Sequence, residues 1–365
     1  MKSSELRVGI IGTGGIAFGK HMPSLAKVKN VKMVAFCDIE LAKAKQAAEQ
    51  FGVKGAQTFT DYQQMLETVP LDVVHVCTPN SSHAPITVAA LEAGAHVMSE
   101  KPMAKNVAGA RQMLAAAKRT GKKLSIGYQN RYRADSQYLK KFCEAGSMGE
   151  IYFAKALAIR RRAVPTWGVF LDEEAQGGGP LIDIGTHALD LTLWMMNNYE
   201  WEYAVGSSYH KLGKRKNAAN AWGSWDPKKY TVEDSAFGFI KFKNGATVTL
   251  ESSWAINSLQ EGEAICVLCG TEAGADMLDG LRINGERFSK LYMEKVQLGS
   301  SGVAFYDGAS DNPSDIEAQL WIEAIVKGKD PVVKPEQALT VTEILEAIYT
   351  SSATNKPVYA ADARK

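Results

Sequence analysis

A glycine-rich loop near the start of the chain restricts the fold more than any other feature. The loop, Gly12-Thr13-Gly14-Gly15-Ile16-Ala17, follows the apolar run Leu6 to Ile11 and opens a helical pattern. The first glycine permits a tight turn, the second leaves room for a ligand against the backbone, and the alanine lets helix and strand pack closely. Free N–H groups at the helix start favour phosphate there. The loop therefore predicts a dinucleotide-binding βαβ unit, with these cofactor-binding candidates: Gly12, Thr13, Gly14, Gly15 and Ile16.

The nature of the dinucleotide is indicated by Asp38, which ends the second apolar run. An acidic residue at this point accepts a hydrogen bond from an adenosine ribose hydroxyl and repels a 2′-phosphate, so the sequence favours NAD over NADP. Gly14, Gly19 and Lys20 also satisfy most of a phosphate-binding P-loop. That alternative is disfavoured because His21 stands where a Ser or Thr must hold magnesium.

The patterning along the chain divides it into two parts. Up to about residue 129, short apolar runs alternate with helical patterns, which is typical of a parallel sheet covered on both faces. Beyond it, long alternating segments predict a mostly antiparallel sheet, with a hairpin at Asn244-Gly245 and one helix over 181–197. We predict an α/β Rossmann domain over 1–129 and a C-terminal α+β domain with a large, mostly antiparallel open sheet over 130–365. The specific elements predicted include strands over 31–37, 73–77, 96–99, 124–127 and 288–297 and helices over 84–93, 107–120, 314–327 and 335–351.

Two polar segments follow strands of the first domain, on the edge where open α/β sheets bind ligands. Cys77-Thr78-Pro79-Asn80 follows the fourth strand and Glu100-Lys101-Pro102 the fifth. His83, three residues beyond Asn80, is equally typical of a helix start, and a lone lysine on a loop is usually exposed to solvent. The cofactor-binding candidates from these segments are Thr78, Pro79, Asn80, His83, Glu100 and Lys101.

A second constellation lies in the C-terminal part. The triple glycine Gly177 to Gly179 leads into the predicted helix that carries Asp183 and His187. Residues four apart share one helix face, so the two side chains are expected together near the helix start. A surface ion pair is an alternative explanation. A metal site is not predicted, because no third cluster of ligands accompanies them.

The composition excludes other classes of partner. Lys and Arg number 42 and Asp and Glu 40, and this net charge of +2 argues against a nucleic-acid partner. No segment is long and apolar enough for a transmembrane helix, and the first residues do not resemble a secretory signal, so we expect a cytoplasmic protein. The five cysteines are scattered and do not suit a disulfide framework. Cys266 and Cys269 would face opposite sides of a strand, which predicts packed thiols rather than zinc ligands.

Four motifs together carry a family resemblance. In their order and spacing, GTGGIA, CTPN, EKP and GGGPLIDIGTH resemble the glucose-fructose oxidoreductase, inositol dehydrogenase and rhizopine catabolism family, written Gfo/Idh/MocA. The resemblance covers nearly the whole chain. It implies a Rossmann domain that carries NAD or NADP, and a second domain whose open sheet forms the interface of a homo-oligomer, either a dimer or a tetramer. It also implies catalytic roles for Lys101, Asp183 and His187.

These roles agree with the chemistry of hydride transfer from a CH–OH group. A base must take the hydroxyl proton, and an imidazole with a pKa of about 6.5 is suited to that. Asp183 can orient the imidazole, and a cationic Lys101 can stabilise the developing alkoxide. Whether His187 or a neutral Lys101 accepts the proton stays open.

The stretch Arg160 to Gly168 indicates the substrate class. Within the family it is most similar to levoglucosan dehydrogenases and glycoside 3-dehydrogenases, which implies oxidation of a ring secondary hydroxyl, at C3 by preference, of a sugar, glycoside or cyclic polyol. Trp167 either stacks on a sugar ring or only packs. Asn130 and Trp167 join the cofactor candidates, and the substrate candidates are Tyr128, Arg131, Arg161, Trp167, Asp183 and His187.

Two other functions stay open for such a chain. One is an NAD-dependent glycosidase that oxidises C3, eliminates the aglycone and reduces the ring again. The other is a non-catalytic nucleotide-sensing protein, against which the intact Lys101, Asp183 and His187 argue.

Overall fold

The first part of the chain builds a six-stranded parallel sheet. In the computed structural model, which describes residues 5–298 and 312–363, its strands have the order β3-β2-β1-β4-β5-β6 and every pairing is parallel. The strands are β1 (Leu6–Ile11), β2 (Val31–Cys37), β3 (Gln57–Phe59), β4 (Val73–Val76), β5 (His96–Ser99) and β6 (Leu124–Ile126). The strand order reverses beside β1, and the crevice at such a reversal is where doubly wound sheets bind ligands. The prediction of a Rossmann-type domain is confirmed.

Helices connect these strands and bury both faces of the sheet. They are α1 (Met22–Ala26), α2 (Leu41–Phe51), α3 (Tyr62–Thr68), α4 (Asn80–Glu92) and α5 (Val107–Thr120). Val8, Ile10 and Phe36 are fully buried, which explains why the strands are continuously apolar rather than alternating. A π turn over Ala17–His21 precedes α1. The predicted helix over 84–93 begins earlier, at Asn80, so the polar residues before position 84 form its first turn.

The second part of the chain builds a nine-stranded sheet of order β14-β13-β12-β11-β7-β10-β9-β8-β15. Its strands are β7 (Ile151–Ile159), β8 (Trp201–Tyr209), β9 (Ser235–Phe242), β10 (Thr247–Ser253), β11 (Gly262–Gly270), β12 (Ala273–Asp276), β13 (Arg282–Arg287), β14 (Lys290–Lys295) and β15 (Val358–Tyr359). Within the described strands of this second sheet, only β7 and β10 pair in parallel, so the prediction of a mostly antiparallel sheet is confirmed. The helices of this region are α6 (Ala134–Glu144), α7 (Glu173–Gln176) and α8 (Thr186–Met196).

The strand predicted over 288–297 is present as the shorter β14, and the prediction is wrong about the first two residues. Phe288 and Ser289, with φ angles of 52° and 57°, form the turn of a hairpin between β13 and β14. Turns with two positive φ angles normally use Asn, Asp or Gly. Because this one uses a phenylalanine and a serine, no composition signal marked it.

The chain closes with α9 (Pro313–Val326), α10 (Pro335–Thr354) and α11 (Ala360–Ala363). Of the described residues, 5–129 and 312–339 form one compact unit, and 130–298 and 340–363 form the other. The predicted second domain, 130–365, therefore differs from the observed one, since Trp321 and Ile322 of α9 share a core with Val8 and Met22. The periodicity of α9 shows that it has a buried face, but it does not show which domain buries that face. No helix in the described ranges could cross a membrane.

Candidate active site

The glycine loop joins β1 to the π turn in the first unit. Gly12 has a φ of 87°, and a Cβ at this residue would lie 2.7 Å from the carbonyl carbon of Cys77. Any side chain would push the loop away from the end of β4. Nothing lies within 4 Å of a Cβ built on Gly14 or Gly15, so the loop leaves open space at both positions. This arrangement fits a pyrophosphate group lying against the backbone.

Asp38 follows β2, and its carboxylate is held against the loop. The backbone N–H and the hydroxyl of Thr13 donate to its Oδ2 atom over 2.8 and 3.2 Å, and the N–H of Glu40 donates to Oδ1 over 3.0 Å. Thr13 thus fixes the acidic group that was predicted to receive a ribose hydroxyl. The turn glycine, the open loop and this carboxylate together fit NAD.

His83 was predicted as a cofactor-binding residue, and the structure assigns it a different position. The side chain is completely buried, with Nδ1 2.8 Å from the carbonyl oxygen of Pro102 and Nε2 2.8 Å from that of Thr78. It therefore holds together the two loops that follow β4 and β5. This position arises because α4 begins at Asn80, so His83 belongs to the first turn of the helix and is buried.

The loop that carries Lys101 rests on a set of buried ionisable groups, which we call the buried charge cluster. Glu100 Oε1 lies 2.7 Å from Lys20 Nζ and 2.8 Å from His21 Nε2, and Glu100 Oε2 accepts the backbone N–H of Lys101 over 3.0 Å. The cluster extends from His21 to His75, whose Nδ1 atoms are 2.9 Å apart, and from Lys20 to Glu317 of α9 over 2.9 Å. Its members are Lys20, His21, His75, Glu100 and Glu317, all buried.

The charges of this cluster balance. Burial disfavours the cation of Lys20, but Glu100 and Glu317 outweigh burial and raise the pKa of Lys20. Burial also opposes the charge of Glu100, and Lys20 together with His21 holds the pKa of Glu100 well below its usual range. The cluster therefore contains permanent charges of both signs inside the first unit.

The two histidines have opposite protonation states. Burial lowers the pKa of His21, but Cys77 and Glu100 raise it by a larger amount, and the net effect is a pKa raised to about 9. Burial, followed by the positive charges of His21 and Lys20, lowers the pKa of His75 well below its usual value. From this difference we assign a charged His21 that donates from Nδ1 to the unprotonated Nδ1 of a neutral His75. Two cations then face two carboxylates.

In the second unit, the triple glycine is held by a carboxylate that sequence reasoning missed. Glu233, which is buried, accepts the N–H groups of Gly179 and Leu181 over 2.7 and 3.0 Å and the hydroxyl of Tyr349 over 2.8 Å. A Cβ on Gly179 would lie 2.3 Å from the carbonyl oxygen of Glu233, so glycine is required there. An acid at a helix start satisfies free N–H groups and complements the helix dipole. No spacing rule linked Glu233 to a segment more than fifty residues earlier.

Asp183 and His187 lie on the segment that Glu233 caps. The segment begins as a π turn over Leu181–Gly185 and continues as α8, so the predicted helix over 181–197 is present with a wider first turn. Both side chains are nearly buried, each with 9% of its surface exposed. The indole N–H of Trp254 donates to Asp183 Oδ2 over 3.2 Å, which fixes one carboxylate oxygen.

The substrate candidate Arg131 is held by contacts inside the second unit. It is fully buried, its Nε donates to Asp190 Oδ2 over 2.9 Å, and its guanidinium carbon lies 5.4 Å from the centre of the Trp194 ring. Its charge is therefore used inside the second unit. Sequence reasoning missed this pairing because Asp190 lies on α8, far along the chain.

The remaining candidates differ in exposure. Tyr128 is 1% exposed, and Asn130 belongs to a short 3-10 turn over Gln129–Tyr132. Arg161 is exposed, with its N–H donating to Glu261 over 3.1 Å, and Trp167 is 52% exposed. Lys101 lies in the first unit, and Asp183 and His187 lie in the second.

Comparisons with known proteins cover both units. Residues 6–128 match the model described as the oxidoreductase family with an NAD-binding Rossmann fold, GFO_IDH_MocA, and residues 136–276 match the GFO/IDH/MocA C-terminal domain. A D-glucoside 3-dehydrogenase of Escherichia coli K12 is 37% identical over 361 residues, 98% of each chain. An inositol 2-dehydrogenase of Salmonella typhimurium is 28% identical over 194 residues, which cover 53% of this chain and 55% of that protein.

Solved structures show the same fold. A levoglucosan dehydrogenase in complex with NADH and L-sorbose has a TM-score of 0.82 and 22% identity, covering 99% of this chain and 100% of its own. An oxidoreductase domain protein from Kribbella flavida has a TM-score of 0.84 and 22% identity, covering 98% and 99% of the two chains.

Proposed function

Because this chain belongs to the GFO/IDH/MocA family of NAD-binding oxidoreductases, we propose that it oxidises the ring hydroxyl at C3 of a glucoside to a ketone. The observation that carries this assignment is the 37% identity, over 98% of both chains, to the E. coli D-glucoside 3-dehydrogenase. The intact Lys101, Asp183 and His187 support a catalytic role over a sensing one. NAD supplies the hydride acceptor when bound.

The cofactor would be held by the first unit. Gly12, Gly14 and Gly15 would receive the pyrophosphate, and Asp38, fixed by Thr13, would accept a ribose hydroxyl. The carboxylate of Asp38 disfavours a 2′-phosphate, so NAD is the dinucleotide proposed.

Three side chains would perform the proton chemistry. The substrate hydroxyl must lose a proton as its carbon is oxidised, and we assign that proton to His187. Asp183, which the Trp254 indole holds at one oxygen, would orient the imidazole. Lys101, whose backbone N–H is anchored to Glu100, would stabilise negative charge on the substrate oxygen.

The test is oxidation of methyl β-D-glucoside by the purified protein with NAD, followed by absorbance of NADH and by NMR of the product. A ketone at C3 supports the proposal. Oxidation at another carbon, or no turnover of any glucoside, would overturn it. Release of the aglycone without accumulation of NADH would identify the glycosidase alternative.

The roles of the three residues are separated by substitution. Lys101→Ala should leave NAD binding largely intact and abolish turnover. His187→Asn should remove the acidic limb of the pH profile of kcat/KM, because that limb reports the base in the free enzyme. A Lys101→Ala variant with unchanged turnover would refute the role of Lys101.

We further propose that two copies associate through the sheet of the second unit. Tyr203 stacks on Phe239 with ring centres 6.4 Å apart and tilts against Tyr359 at 5.7 Å, and the latter two are 39% and 48% exposed. Clustered exposed aromatic rings are typical of an interface. Light scattering of the natural protein should give a mass that is a multiple of the mass of one chain, and the Phe239→Glu variant should give a smaller mass. A natural protein with the mass of a single chain would overturn this proposal.

We also place the enzyme in the cytoplasm. All five cysteines are free, which suits a reducing compartment. Fractionation of cells that produce the protein would test this, and recovery outside the cytoplasm would contradict it.

A further inference from the structure

Four aromatic rings form a continuous chain in the second unit. Trp167 lies 5.1 Å from Trp222 and 5.9 Å from Phe170, and Phe170 lies 6.4 Å from Trp254, measured between ring centres. Every contact is edge to face. We call these four residues the aromatic chain. Its inner end, Trp254, is fully buried and bonds Asp183, whereas at its outer end Trp167 and Trp222 are 52% and 42% exposed.

The two outer tryptophans are fixed in place although they are exposed. The Thr166 hydroxyl donates to the carbonyl oxygen of Trp222 over 2.6 Å, and the N–H of Ala221 donates to the carbonyl oxygen of Arg162 over 3.0 Å. Asn220 bonds both the N–H and the carbonyl oxygen of Val164, over 2.8 and 3.0 Å. These bonds fasten the loop that carries Trp167 to the loop that carries Trp222. A ligand would therefore bind them without first ordering the loops.

One side of Trp222 already carries a cation. The guanidinium carbon of Arg160 lies 5.0 Å from the centre of the indole, and Glu263 holds this guanidinium, with Nη2 2.8 Å from Oε2. Although Arg160 lies over this ring, 42% of Trp222 remains exposed. Together with Trp167 it offers apolar ring surface that is rigid and open to solvent.

We propose that Trp167 and Trp222 bind the aglycone of the glucoside, and that this aglycone is a ring with a flat apolar face, either a second pyranose or an aryl group. The inference rests on the proposed function, in which Asp183 acts at the ring that is oxidised. Because Asp183 is joined to the inner end of the aromatic chain, the ring that follows along the substrate is expected towards the outer end. Flat aromatic surfaces bind such rings through dispersion and contact with the π electrons.

The test compares three substrates that share the oxidised ring. Methyl β-D-glucoside has no ring as aglycone, phenyl β-D-glucoside has an aryl ring, and cellobiose has a pyranose. In Trp167→Ala and Trp222→Ala we expect kcat/KM for one or both ring-bearing substrates to fall about five- to tenfold, mainly through KM. The methyl glucoside should change by less than about twofold, and the phenylalanine variants at both positions should retain most of the activity. Tyr152→Ala, which removes another exposed ring of this unit, is the matched control and should match the natural protein.

The outcomes separate the possibilities. A loss with phenyl glucoside alone identifies an aryl aglycone, and a loss with cellobiose alone identifies a sugar. Equal loss for all three substrates would overturn the proposal and indicate a structural role. If Trp167→Ala instead forms a smaller assembly in solution, with no substrate-selective loss of activity, the proposal would also be overturned. The surface would then be assigned to contact with a second copy of the chain.

Failure of the proposed function is distinguishable from failure of this site. If the natural protein oxidises none of the three glucosides, the proposed function fails. Calorimetry of phenyl β-D-glucoside binding to the complex of the protein with NAD then tests the aromatic site separately. The site predicts that the natural protein binds this glucoside and that both alanine variants bind it more weakly. Equal binding by the natural protein and the variants, or no binding at all, would overturn it.

Discussion

The buried charge cluster gives the sharpest prediction about stability. Lys20 lies within 2.9 Å of both Glu100 and Glu317, and all three side chains are at most 7% exposed. Lys20→Met keeps most of the side-chain volume but leaves two buried carboxylates with one cation, His21, near them. Removing one partner of a buried ion pair destabilises a protein by about 3–5 kcal/mol. We therefore expect a loss of that size in the free energy of unfolding.

The chain contains a matched control for this variant. Lys27 pairs with Asp315 of the same helix, α9, over 2.7 Å, but the lysine side chain is 61% exposed. Although Asp315 itself is buried, the exposed ammonium of Lys27 keeps much of its hydration, so this pair contributes less than the fully buried pairs of Lys20. Lys27→Met should therefore lower the free energy of unfolding far less than Lys20→Met, although both remove a lysine that pairs with α9.

The pH dependence identifies the cause of the loss. In Lys20→Met a buried carboxylate without its cation has a raised pKa in the folded state, so the folded chain binds more protons than the unfolded chain. Stability relative to the natural protein should then recover as the pH falls from about 8 to about 5.5. The double variant Lys20→Met with Glu317→Gln should also recover part of the loss, because one buried charge is removed.

The assay is urea unfolding followed by circular dichroism at both pH values. If Lys20→Met is no less stable than Lys27→Met, or its deficit is the same at both pH values, the assignment of a charged, mutually dependent cluster is refuted.

Three further predictions concern other groups. Despite burial, Cys77 and Glu100 raise the pKa of His21 to about 9, so the charged imidazole stabilises the folded state by about 3 kcal/mol. This stabilisation is complete below about pH 6.5 and is lost as the pH rises towards 9. Thermal melts of the natural protein should show the loss, and those of His21→Gln should not. Asp38→Ala should weaken NAD binding about tenfold and narrow the preference over NADP, and fluorescence titration that finds an unchanged ratio of the two affinities would contradict the role of Asp38. Glu233→Ala leaves two buried N–H groups without their acceptor and should lower the free energy of unfolding by about 2 kcal/mol. In the same variant kcat should fall by a larger factor than the factor by which KM for NAD changes. An unchanged urea midpoint would exclude the capping role.

Much of the first unit could be predicted because its signals are local. The strand over 96–99 and the helix over 107–120 have the predicted bounds, and Asn106 and Gly121 provide the cap residues that mark such a helix. The glycine loop was equally predictable, since only glycine accepts the φ of Gly12 beside Cys77. The catalytic roles of Lys101, Asp183 and His187 stay proposals.

The parts that could not be predicted depend on contacts between distant residues. His21 was considered only as a mismatch to a P-loop, and its partners Glu100 and His75 become visible only when the sheet is assembled. Arg131 was assigned to substrate because an arginine near a predicted domain boundary gives no sign of a buried partner such as Asp190. In both cases the sequence identifies an ionisable side chain but does not identify the residue that pairs with it.

The position of α9 has a consequence for how the protein is made. The ribosome synthesises all six strands of the first sheet well before it reaches Glu317 and Trp321, and nearly all of the second unit emerges in the interval. Throughout that interval Lys20 lacks one of its two carboxylates and the apolar core lacks the Trp321 side. The nascent first unit is therefore an incomplete body that waits for the end of its own chain. Until α9 arrives, the apolar residues of α1 that share a core with Trp321 and Ile322 lack that cover, so transiently exposed apolar surface is expected there during synthesis.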